Sequence, residues 1–220
     1  MAPVHAQTGS ETLYNVFSLS SEASADVDND LMIASLVVQQ EDKDPAVLAD
    51  KVNSTMAWAV DLLRPYSTLK VKTRDYQTYP RYDTSQSRRL IGWRATQTLQ
   101  LETDDFEVAG KAIQTLQEKL QVQGIRLTVK PATRKAAADD LIDEALNAFK
   151  ERARLIQKNM GASAFKVLEV NVQSDQGNGP MFNARAEMAD VMRSSAVAEP
   201  VVEAGTSQVS VQVYGRVQLD

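Results

Sequence analysis

The sequence predicts an α+β fold with mixed or antiparallel sheets, three main helices and the order β-β-α-β-β-α-β-α-β-β, arranged as two small interleaved lobes. Three observations predict it. Helix-period and strand-period segments alternate irregularly, unlike the regular strand–helix rhythm of a doubly wound parallel sheet. The stretch from Leu69 to Thr103 holds two extended segments around a polar tip, which should pair antiparallel. The last third sets a long amphipathic helix before two strands, the final one strictly alternating.

Taken in order, Thr12 to Leu19 and Leu31 to Gln40 read as two strands. The first alternates Leu13, Phe17 and Leu19 against polar neighbours. The second is apolar on both faces, which suits a central position. Asp26, Asp28, Asn29 and Asp30 mark a turn between them. Asp44 and Pro45 then supply an N-cap and a first helical residue. Leu48, Val52, Met56, Ala59 and Leu63 recur at helical spacing, and Pro65 ends that helix.

Leu69 to Tyr79 and Leu90 to Thr103 form the long hairpin, with a polar, basic tip from Pro80 to Arg89. In its second arm Trp93, Ala95, Leu99 and Leu101 share one face, and Arg94, Thr96, Thr98 and Gln100 the other. Asp104 with Glu107 resembles a capping box. Behind it Phe106, Ala109, Ile113, Leu116 and Leu120 make a stripe, with Gly124 just past the helix. Ile125, Leu127 and Val129 form a short strand that Pro131 breaks. The third helix, about Thr133 to Met160, turns Leu141, Ala145, Phe149, Ala153, Ile156 and Met160 to the core and ends at Gly161. The strand Phe165–Val172 follows. The last strand puts Val209, Val211, Val213, Val217 and Leu219 on one face. Between these two, residues 174–200 read as a mobile insertion, with Met181, Ala184, Met188, Val191 and Met192 at near-helical spacing. Such methionines suit partner docking or oxidant scavenging, and equally a plain linker.

At 220 residues the chain makes one large domain or two small ones. A hydrophobic share of 43% and a charged share of 24% fit a folded protein. A net charge of −5 speaks against a general nucleic-acid binder. The absence of cysteine excludes disulfides and thiolate catalysis. His5 is the only histidine, which speaks against a Ser-His-Asp device, and no enzyme activity is expected. Asp139, Asp140, Asp143 and Glu144 gather at the start of the third helix, where acidic residues complement the helix dipole. A hard cation is the alternative, but the calcium-loop spacing is missing, and neither a metal nor a cofactor is expected. No apolar run approaches the roughly 20 residues of a transmembrane helix. Val4-His5-Ala6 before Gln7 resembles the end of a secretory signal. Residues 1–11 are accordingly expected to be a truncated signal remnant, and 12–220 the folded domain.

The segments Tyr79-Pro80-Arg81-Tyr82, Arg89-Leu90-Ile91-Gly92-Trp93-Arg94-Ala95-Thr96, Leu99-Gln100-Leu101 and Asp104 resemble the central hairpin of the SIMPL-domain family. Glu144-Ala145, Ala153, Gly161 and Pro200-Val201-Val202-Glu203-Ala204-Gly205 extend the resemblance, which runs from about Tyr14 to Leu219. The family often has a glycine in its first strand, whereas Val16-Phe17-Ser18-Leu19-Ser20 has none. The family includes bacterial periplasmic immunogenic proteins and oxidative-stress-defence proteins. The resemblance implies an exported, periplasmic α+β protein of the bacterial envelope. Some relatives assemble into rings with a central channel, and others are linked to lower oxidative stress. It carries over no catalytic residue.

The candidate interaction residues are Tyr76, Tyr79, Arg81, Tyr82, Arg88, Arg89 and Trp93. Tyrosine and arginine bring large area and several donors to protein contacts. The same mix suits stacking on sugars or single-stranded nucleic acid, and a simply solvated hairpin would also carry it. Charge is split as well. Glu22 to Asp50 holds eight acidic residues and one basic, and Arg64 to Arg94 eight basic and two acidic. Opposite patches on one chain suit a homo-oligomer in which the hairpin of one copy meets the acidic stretch of the next. Two solvated faces would show the same split. A monomeric or dimeric adaptor that binds another envelope protein through the hairpin is the alternative function.

Overall fold

A computed structural model of the chain describes residues 13–83, 89–174 and 204–220. Its elements are β1 (Val16–Asp28), β2 (Leu31–Asp42), α1 (Pro45–Leu63), β3 (Lys70–Tyr82), β4 (Leu90–Thr103), α2 (Phe106–Leu116), β5 (Gln121–Thr128), α3 (Pro131–Met160), β6 (Phe165–Ser174) and β7 (Thr206–Leu219). The order is the predicted one. Each strand pair with a described register is antiparallel: β2–β4, β2–β5, β3–β4 and β6–β7. The chain divides into two compact units built from interleaved segments.

One unit carries the four-stranded sheet β3-β4-β2-β5 with α1 and α2. β2 lies inside the sheet, as its two-sided apolar sequence requires. Met32, Ala34, Leu36 and Val38 join Ala95, Leu99 and Leu101 of β4 under the two helices. Asp44 caps α1 by accepting from the Ala46 N–H at 2.7 Å. Leu48, Val52, Met56, Ala59 and Leu63 are all buried. Each such side chain contributes about 1.5–3 kcal/mol by leaving water, less for alanine.

The cap of α2 corrects the sequence reading. Asp105, not Asp104, accepts from the Val108 N–H at 3.0 Å. Asp104 pairs instead with Lys130 at 2.7 Å. Glu107 does not reach back to a cap but pairs with Lys111, one turn on. The helix stops at Leu116, and Gly124 lies inside β5, where the β2 register shifts. The glycine there marks a bulge rather than a helix end.

The other unit packs α3 on the three-stranded sheet β1-β7-β6. β7 is central. Val209, Val211, Val213, Val217 and Leu219 are buried on the predicted face. Ala138, Leu141, Ala145, Phe149 and Ala153 of α3 cover them. β1 begins at Val16 and runs on to Asp28, so Asp26 and Asp28 belong to the strand and only Asn29 and Asp30 turn. Its inward positions include the small residues Ser21 and Ala23, which apolar counting passes over. Ser21 Oγ donates to the Ala145 carbonyl at 2.7 Å. Pro131 opens α3 rather than merely ending the strand before it. At the far end Ile156 is half-buried and Met160 exposed, since a straight helix follows a twisted sheet for only part of its length. Residues 1–11, 174–200 beyond Ser174 and Pro200 to Glu203, about which the sequence raises expectations, lie outside the described residues.

Candidate interaction surface

The β3–β4 hairpin presents the candidate surface. β3 is an edge strand, exposed along nearly its whole length. α1 and α2 cover the face of this sheet that bears Ala95, Leu99 and Leu101. The opposite face bears Arg94, Thr96, Thr98, Gln100 and Glu102 of β4 and, in register with them, Lys70, Lys72, Gln77 and Tyr79 of β3. Ion pairs lace it together. Lys72 reaches Glu102 at 2.8 Å, and Glu102 also accepts from Gln100 Nε2 at 3.0 Å. Glu41 of β2 accepts from both Arg81 and Arg94, the latter at 2.7 Å.

Glu41 belongs to the acidic stretch of the sequence, and Arg81 and Arg94 to the basic one. The complementary charges therefore meet partly within one chain. The antiparallel register sets Glu41 opposite Arg94 and Tyr79 on its far side. Asp42, also of the acidic stretch, is engaged locally at the start of α1. Its carboxyl accepts from the Asp44 N–H and pairs with Lys51, and these bonds hold its pKa below the ordinary value. Among the described residues Arg74 and Arg89 enter no ion pair.

Tyr76, Tyr79 and Tyr82 are 45%, 49% and 54% exposed, and Leu90 and Ile91 beside the tip are exposed too. Tyr76 sits in a β-bulge between Arg74 and Gln77, just after Asp75 with its φ of +53°. Tyr79 lies past the bulge, and its hydroxyl bonds Gln77 Oε1. Trp93 packs half-buried against the core. Beside it Gly92 has a φ of +157°, and a Cβ there would stand 2.9 Å from the Asp42 carbonyl oxygen. Arg89 is exposed, and its carbonyl accepts from the Asp83 N–H at 2.8 Å. Arg88 lies outside the described residues.

The acidic group on α3 is placed differently from its prediction. The helix starts at Pro131, so Asp139 to Glu144 fall beyond its first turn, and Asp139 pairs with Lys135 at 2.5 Å. Among the described residues no group of three His, Cys, Asp or Glu side chains is placed to hold a metal ion. No helix among them is long and apolar enough to cross a membrane.

A family model described as SIMPL, protein of unknown function (DUF541), matches residues 17–217. The chain belongs to the SIMPL family. No curated protein matches it. The SIMPL match begins inside β1 and ends inside β7, so it takes in both units and the whole hairpin. Two of the hairpin residues that carry the SIMPL resemblance have structural reasons: Gly92 clears the Asp42 carbonyl and Trp93 seals the core edge. The tyrosines carry no such burden. Sequence reasoning missed Glu41, which organises the arginines. Only the β2–β4 register would have found it.

Proposed function

We propose that this SIMPL protein is an exported, periplasmic, non-enzymatic component of the bacterial envelope that works by binding other protein surfaces, first of all copies of itself, and that its role is linked to oxidative-stress defence. The observation that carries the reading is the hairpin: three half-exposed tyrosines on the edge strand β3, with Leu90 and Ile91 exposed on β4 beside them, next to arginines that Glu41 holds in place. Pre-positioned arginines and tyrosines lose little freedom on docking, which is what interface anchors require. A ring is the assembly that the family resemblance supports. Export rests on that resemblance and on the Val4-His5-Ala6 pattern.

Light scattering after size exclusion tests it. The expected outcome is a discrete species several times the 24.2 kDa chain mass, reduced to smaller species by Tyr79→Ala with Tyr82→Ala. Because Arg81 and Arg94 already pair within the chain, assembly should depend more on the tyrosines than on salt. A monomer at all concentrations would defeat self-association and favour the adaptor reading. An assembly indifferent to both tyrosines would remove the hairpin from it.

A further inference from the structure

The edges of the two sheets are not equivalent. β3 carries the usual guards of an exposed edge: Lys70, Lys72, Pro80 and the Asp75 bulge. β1 is guarded by Arg152, whose guanidinium bonds the Ser20 carbonyl. β6, the other edge of the three-stranded sheet, has a bulge at Leu168 and the charged Glu169, but no such device from Val170 to Ser174. That stretch contains no proline, lysine or arginine, and its register with β7 is regular from Glu169 onward. Its core-side valines are left half-covered: Val170 and Val172 are 41% and 39% exposed. Among the described residues no strand pairs with the outer edge of β6, and an open edge beside exposed valines is a ready template for another strand.

The geometry points to one occupant, the β6 strand of a second copy, paired antiparallel about a two-fold axis at Asn171. The regular run determines the register. Antiparallel partners must show the same face, so core-side residues oppose core-side residues. Centring on Asn171 pairs the regular run Glu169–Gln173 with itself and leaves the bulged Leu168 outside. Val170 then opposes Val172 twice, and Glu169 opposes Gln173, an amide that can donate to it. Moving the axis two residues earlier, to Glu169, would set Glu169 against Glu169, and like charges directly opposed are destabilising. On the other face Asn171 stands beside Tyr214 of β7, so the pair would be flanked by a tyrosine from each copy. The contact shares with the reading above the claim that the chain self-associates, but it uses a surface in a different unit from the hairpin.

The chain contains no cysteine, so one introduced thiol reports cleanly. Under mild oxidation Asn171→Cys is expected to form a covalent dimer of twice the chain mass, while Lys166→Cys, beyond the bulge, remains a monomer on denaturing gels. Val170→Lys with Val172→Lys, both at exposed positions, is expected to weaken the dimer about tenfold or more while leaving the thermal transition of the unit in place. A free thiol at position 171 overturns the proposal, as does equal cross-linking at 166 and 171. So does a β6 that resists amide exchange without cross-linking, which would assign the edge to a different strand. The same thiol in the Tyr79→Ala, Tyr82→Ala chain separates the two claims. Cross-linking that survives there while the larger assembly is lost supports both. Hairpin-dependent assembly without cross-linking removes only β6.

Discussion

Gly215 faces the core of its unit at a position where the strand otherwise carries valine. A Cβ there would stand 2.7 Å from Phe149 Cζ and 2.5 Å from the Glu169 carbonyl oxygen. The aromatic ring fills the space that a side chain would need. Gly215→Ala is therefore expected to cost about 1–3 kcal/mol by overpacking, read as a fall in the urea midpoint. An unchanged midpoint would mean that both Phe149 and the β6 backbone at Glu169 shift aside freely. Lys130 is a second point of tension. Its backbone N–H donates to Asp30 Oδ1 and its ammonium pairs with Asp104. The ammonium holds the Asp104 pKa down, and Asp104 holds the Lys130 pKa up. The lowered carboxyl contributes stability above its ordinary value of 3.8 and loses it as pH falls through the lowered one. The raised ammonium contributes below its ordinary value of 10.5 and loses it as pH rises through the raised one. Asp104→Asn should flatten both limbs of a Tm-against-pH curve slightly, the pair being open to solvent, and should move the Lys130 titration down in an NMR experiment.

At the scale of elements, the start of α2 offers a direct contrast between neighbouring aspartates. Asp105→Ala removes the bond to the Val108 N–H and should cost about 1 kcal/mol in chemical denaturation, with Asp104→Ala costing clearly less. Equal losses would show that the cap is shared. This is also where legibility in the sequence ends, for a physical reason. α1 could be read to the residue because its cap, its proline and its stripe are all local. Asp104 and Asp105 are equally good caps on paper. The choice is made by Thr103 Oγ1, which accepts from the Asp105 N–H, and by Lys130, which draws Asp104 away from 26 positions along the chain. β1 was misjudged at both ends because a strand's extent depends on its partner, here β7, and because Ser21 and Ala23 bury without being strongly apolar. The hairpin's tyrosines and arginines were visible as residue types. Their grouping around Glu41 was not, because it depends on a register between β2 and β4.

At the scale of the molecule, the two units differ in how the chain builds them. The core from Met32 to Leu120 lies wholly within residues 28–130, one continuous stretch. That stretch, produced alone, is expected to unfold in a single cooperative urea transition, weakened by loss of the Asn29 bonds to Ala204, Gly205 and Ser207. A broad, non-cooperative loss of far-UV signal would contradict it. The other unit draws on three separated segments, and its sheet is centred on β7. That placement sets a schedule during synthesis. β1 is made well before β7, its sheet neighbour among the described residues, with β2 to β6 between them in the chain. Until residues 206–219 emerge, β1 and β6 have nothing between them and Phe149 has no glycine to rest on. The nascent chain thus carries one unit able to close early and one that waits for residues 206–219, so whatever binds unfolded chains has a window on β1 and α3 until that strand emerges.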